Sequence, residues 1–95
     1  MVFNVNLTQE ASDQLNEAIA YYQKRGKGAA FLNQVNDIFD LISQNPELFP
    51  IEFKNYRKAT VQKFPYLVIY FTDVKNVIVT SVFNTYQNPK NKFTQ

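Results

Sequence analysis

The chain has 95 residues, a net charge of +2, no cysteine and no histidine. One domain is expected, long enough to bury a core without disulfides or metals. Thiolate chemistry is excluded, and so are the commonest general base and the commonest metal ligand. The carboxylates show no metal-ligand spacing, so neither a structural metal nor a cofactor is expected. No apolar run approaches the ~20 residues of a membrane-spanning helix. Met1 to Leu7 has neither the basic region nor the apolar core of a secretory signal. A soluble, cytoplasmic protein with no membrane partner is the expectation.

The charge is unevenly spread. Residues 1–50 carry three cations against six carboxylates, a net of −3, and residues 51–95 carry seven against two, a net of +5. A basic C-terminal half suits a polyanion or an acidic protein partner. On charge alone it suits better a solvated sheet edge whose lysines block aggregation.

Val2 to Leu7 reads as a short strand. Thr8 offers a helix N-cap, with Glu10 in the first turn and Leu7 placed to staple the helix entry. Two helices follow with one spacing. Ala11, Leu15, Ala18, Ile19 and Tyr22 stand at offsets 0, 4, 7, 8 and 11, and Phe31, Val35, Ile38, Phe39 and Ile42 repeat them. Each set is a single apolar stripe. Arg25-Gly26-Lys27-Gly28 joins the two as a helical hairpin. Asn45-Pro46 stops the second helix, because a residue before proline avoids helical geometry, and Pro50 closes the next loop. Tyr56 to Lys63 is strand-like. Pro65 interrupts it, and Tyr66 to Phe71 is the strongest strand. Asp73 to Asn76 makes a turn, and Val77 to Phe83 is the last strand. A polar tail, Asn84 to Gln95, ends the chain.

These elements predict an α+β fold of order β-α-α-β-β-β, with a helical hairpin on one face of a small antiparallel sheet. The strand Tyr66 to Phe71 is apolar on both sides, and one hairpin covers one side. The second face, expected to carry Tyr66, Val68 and Tyr70, is then covered by the tail or a partner protein, or leaves half-exposed tyrosines with wet hydroxyls.

Several phrases, in order, resemble the RelE/ParE toxin superfamily, also known as plasmid-stabilisation proteins. They are Glu17-Ala18-Ile19-Ala20-Tyr21-Tyr22, Ile42 to Pro46, Tyr56-Arg57-Lys58, Lys63-Phe64-Pro65-Tyr66, Ile69-Tyr70, Ser81 to Asn84, and Asn88-Pro89. They run almost end to end, and their order and spacing are more specific than any one of them. The resemblance implies the toxin half of a type II toxin–antitoxin pair, wrapped by a cognate antitoxin.

Ribosome-dependent members of the superfamily cleave mRNA, many without histidine. Attack of a ribose 2′-OH on its phosphate needs a proton removed and phosphorane charge stabilised, and cations serve the second need. The resemblance therefore implies an mRNA interferase acting on ribosome and mRNA, with Arg57, Lys58, Lys63 and Tyr86 as catalytic candidates. Each has a plainer reading: solvated strand residues for the three cations, an exposed loop tyrosine for Tyr86. The chain departs from the pattern at Leu67, where a basic residue is common. It departs again where a His-x-x-Arg-Asp-Pro phrase is replaced by Asn84-Thr85-Tyr86-Gln87-Asn88-Pro89. Neither Asn84 nor Gln87 carries the charge of a phosphate clamp. The superfamily's other branch poisons DNA gyrase by protein–protein contact and needs no catalytic set, so a gyrase inhibitor is the alternative. An inactive homologue that only binds antitoxin is another. A stand-alone nucleic-acid binder, whose signature is strongly salt-dependent RNA binding, is not indicated by this modest charge.

Overall fold

A computed structural model describes residues 2–86. The chain runs β1 (Asn4–Leu7), α1 (Gln9–Gln23), α2 (Gly28–Gln44), a 3-10 turn (Pro46–Leu48), β2 (Ile51–Phe53), β3 (Tyr56–Thr60), β4 (Tyr66–Asp73) and β5 (Asn76–Asn84). The α+β class and the helical hairpin are as expected. Of the tail, Asn84 closes β5 and residues 87–95 lie outside the described residues.

The caps follow the sequence. Thr8 Oγ1 accepts from the Ala11 amide at 3.2 Å, satisfying a donor the first turn leaves free. Gly26 turns the chain at φ 73°, a left-handed value that glycine adopts without steric cost. Asn45 ends α2 at φ −147° and ψ 84°, outside helical geometry, before Pro46. Both stripes face inward. Ala11, Ala18 and Tyr22 are buried with Phe31, Val35, Ile38 and Ile42, while Leu15, Ile19 and Phe39 pack at their margins.

The sheet has five strands in the order β1-β5-β4-β3-β2, and it is mixed rather than antiparallel. β1 lies parallel to β5, with Asn4 opposite Asn76 and Leu7 opposite Val79, and the other neighbours are antiparallel. Parallel strands need a long connection, and here all the intervening elements supply it. The extra strand, β2, has only three residues and follows Pro50, too short to show an alternation. It turns into β3 through Lys54 at φ 54°. The last hairpin turns at Asp73 to Asn76, as expected. Asp73 pairs with Asn76, and β-branched Val74 takes φ 57°, a costly value for such a side chain.

The expected orientation of β4 is reversed. Val68 and Tyr70 are fully buried in the core beneath the helices, and Tyr66 packs at its edge with its ring 5.1 Å from that of Phe31. Leu67, Ile69 and Phe71 alternate to the opposite face, where Phe83 is the register partner of Leu67. Alternation separates two faces of a doubly apolar strand without saying which one meets the helices.

A bulge interrupts β5. Ile69 pairs with Ser81 but Tyr70 with Val79, leaving Thr80 as the extra residue. Gln14 on α1 serves this break: its Oε1 accepts from the Val82 amide at 2.7 Å and from Ser81 Oγ at 3.1 Å.

Candidate functional site

Arg57 is the second residue of β3, paired with Tyr70 of β4, and so shares the helix-facing side of the sheet. Its Nη1 donates to the Phe49 carbonyl at 2.7 Å. Beside it the buried Tyr70 hydroxyl donates to the Pro46 carbonyl at 2.6 Å. Together they fasten the Pro46–Pro50 segment to the sheet, using carbonyls that the end of α2 and its 3-10 turn leave without helical donors. Burial pushes the Tyr70 phenol up to about 12, with the Arg57 charge pulling the other way. The phenol therefore stays protonated as a donor far above neutral pH.

That shift predicts a pH dependence. The folded Tyr70 holds its proton more tightly than the unfolded one, so its stabilising contribution is complete below pH ~10 and falls as pH rises through about 12. Tyr70→Phe is expected to cost about 1–2 kcal/mol at neutral pH, because the Pro46 carbonyl loses its donor. The substitution is also expected to flatten the loss of stability above pH ~10. Denaturant melts at pH 7, 9 and 11 check both effects.

Lys58 alternates to the opposite face, paired with Ile69, and its Nζ lies 3.3 Å from Glu52 Oε1 of β2. The pair is half-exposed, so it contributes little to stability. Lys63 stands in the β3–β4 turn at φ 71°. It lines a cleft of about 440 Å³ with Lys27, Ala30, Asn33, Gln34 and Phe64. Tyr86 follows β5 and is 87% exposed, its amide donating to Asn84 Oδ1 at 2.8 Å. Its phenol lies in the field of buried Tyr22. Burial first, then the Tyr66 and Tyr21 phenols, push Tyr22 up.

Arg57, Lys58 and Tyr86 lie on different faces or at different ends of the sheet. Arg57 pairs with Tyr70, whereas Asn84, two residues before Tyr86, pairs with Tyr66. Four strand residues separate those rungs, roughly 13 Å. Lys58 is on the other face. Acid–base catalysis needs its groups within hydrogen-bond reach of one reacting centre. What the fold does bring together is Lys63 with Lys27, a residue the sequence reading passed over. The absence of carboxylates from Gln23 to Gln34 was its available signal. The departures also have places: Leu67 is half-buried on the face away from the helices, Asn84 holds the Tyr86 amide, and Gln87 lies outside the described residues.

A second cleft, about 340 Å³, runs between α1 and the ends of β4 and β5, lined by Glu17, Tyr21, Tyr66 and Asn84 among others. Exposed apolar side chains lie on the helices at Tyr21, Leu32 and Leu41, and at the β2 edge at Leu48, Ile51 and Phe53. Among the described residues no group of three or more acidic residues is placed to hold a metal ion. No described helix is long and apolar enough to cross a membrane.

Comparison with curated protein sequences gives no match. Among solved structures, a chain from a chromosomal ParDE TA system of P. aeruginosa superposes with a TM-score of 0.64 at 16% identity. The match covers 87% of this chain and 96% of that one, and at that identity it shows a shared fold. The sequence itself matches the family described as the ParE toxin of the type II toxin–antitoxin system parDE, over residues 5–89. With nearly the whole described fold inside that match, the chain belongs to the ParE toxin family of type II toxin–antitoxin systems.

Proposed function

We propose that this toxin acts in the cytoplasm by protein–protein contact with DNA gyrase rather than by cleaving mRNA, and that a cognate antitoxin neutralises it. The observation that carries the reading is the dispersal of Arg57, Lys58 and Tyr86. Arg57 is spent on the Phe49 carbonyl, Lys58 faces Glu52 across the sheet, and Tyr86 stands at the far end. A contact inhibitor needs a shaped surface and no converging acid, base and phosphate clamp. The exposed apolar residues Leu32 and Leu41 on α2, with the open β2 edge, suit an antitoxin that adds a helix or an extended segment.

The test is a supercoiling assay with purified gyrase and a ribosome-dependent mRNA cleavage assay, run on the same purified chain. Loss of gyrase supercoiling with intact mRNA is expected. Cleaved mRNA with unaffected gyrase would return Arg57, Lys58, Lys63 and Tyr86 to the catalytic role. Arg57→Ala and Tyr86→Ala sharpen it. Arg57→Ala is expected to lower stability by about 1–3 kcal/mol, since a charge-assisted bond to a carbonyl is lost. Both variants are expected to remain toxic at a growth temperature where the fold persists. A folded but harmless Arg57→Ala protein would point to catalysis instead.

A further inference from the structure

The cleft between the start of α2 and the β3–β4 turn is not explained by the fold or by contact with a topoisomerase. Its six lining residues are Lys27, Ala30, Asn33, Gln34, Lys63 and Phe64. Two are cations from distant parts of the sequence, two are amides, and none is a carboxylate. The surroundings reinforce this. Residues 23–34 carry Lys24, Arg25 and Lys27, residues 61–72 carry Lys63, and neither stretch contains an aspartate or glutamate. The first turn of α2 likewise has no acidic residue and no side-chain cap at Lys27, so the helix dipole adds to the positive potential. Arg25 is already engaged, donating to the Tyr21 carbonyl at 2.9 Å and lying 3.6 Å over the Tyr21 ring. Lys27 and Lys63 are both exposed, and no ion pair to either is seen among the described residues.

Two ammonium groups facing one cleft repel each other unless an anion sits between them. We infer that the Lys27–Lys63 cleft binds a phosphate of a nucleic-acid backbone. A lysine pair supplies point charges for phosphate. The amides of Asn33 and Gln34 supply donors, and the half-buried Phe64 ring supplies an apolar wall for the adjoining sugar or base. Basic residues beside an aromatic ring are the pairing that grooves for single strands use. An acidic peptide would use the charges and leave the ring and the amides without a role. The inference does not depend on the gyrase reading, because the contact is measured on the isolated protein.

The experiment is fluorescence anisotropy of labelled single-stranded DNA, duplex DNA and RNA with the full-length protein, titrated with salt. Unlabelled poly-glutamate and inorganic phosphate serve as competitors. The double variant Lys27→Ala/Lys63→Ala is compared with Lys54→Ala/Lys75→Ala, which removes the same charge from other turns. Thermal melts confirm that both remain folded. The wild type is expected to bind, the first pair to weaken binding roughly tenfold at ~0.1 M salt, and the log–log salt slope to fall by about 0.7–0.9, the share of one neutralised phosphate. The control pair should keep most of the affinity and the slope. Which nucleic acid binds best identifies the source of the phosphate. Three results would each overturn the inference: no nucleic-acid binding even at low salt, equal losses in the two double variants, or poly-glutamate competing charge for charge as well as nucleic acid. Inorganic phosphate that competes at millimolar concentration as well as nucleic acid does would likewise reduce the cleft to a site for free anions.

Discussion

Phe31→Ala is expected to destabilise the toxin by about 3–5 kcal/mol, out of a total of roughly 5–14 kcal/mol for a domain this size. Phe31 is fully buried. Its ring stacks on Tyr22 at 4.9 Å and meets Phe64 and Tyr66 edge-on, each at 5.1 Å. Those partners come from α1, the β3–β4 turn and β4, so one side chain joins the hairpin to the sheet. Truncation leaves a void against three rigid rings that cannot collapse into it easily. The melting temperature is expected to fall by roughly 15–30 °C. Phe31→Leu retains most of the volume and should cost less than half as much. A thermal melt of the two variants checks the difference. Similar, small losses in both would mean that the ring cluster is not the point where the layers are joined.

Gln14→Ala is the second large effect, for a different physical reason. Just past the β5 bulge, Gln14 Oε1 receives both the Val82 amide and Ser81 Oγ. Alanine leaves the two donors without their acceptor in a partly buried place, at an expected cost of about 2–3 kcal/mol. Gln14→Glu keeps an acceptor there. It loses the Nε2 bond to Glu10 Oε2 and sets like charges one helical turn apart, a penalty of only a few tenths of a kcal/mol. Denaturant unfolding should therefore rank Gln14→Glu close to wild type and Gln14→Ala far below. The reverse order would show that the glutamine acts through its amide group on the helix rather than through the bulge.

Much of this fold is local enough to read from the chain. The Thr8 cap, the Asn45-Pro46 stop and the two stripes each depend on neighbours within a turn or two. The parallel pairing of β1 with β5 depends on contacts across most of the sequence, and no periodicity encodes it. The side of β4 that meets the helices is not encoded in its pattern, because Tyr66, Val68 and Tyr70 on one face and Leu67, Ile69 and Phe71 on the other are both apolar sets. β2 is not legible in the chain, because three residues carry no pattern. The candidate site was less legible still. Residue type identified Arg57 as a cation, but only the fold shows its guanidinium tied to the Phe49 carbonyl. Arg57 and Lys58 are adjacent in sequence and point to opposite faces of one strand, as period-two geometry requires. Lys27 and Lys63 look unrelated in the chain and share a cleft in space.

The central claim is that this ParE-family chain poisons DNA metabolism by contact and not translation by RNA cleavage. Induced expression in bacteria, with pulse labelling of DNA and protein synthesis as growth slows, tests it most directly. The account predicts that DNA synthesis falls first while protein synthesis continues. A fall in protein synthesis that precedes any change in DNA synthesis would contradict it.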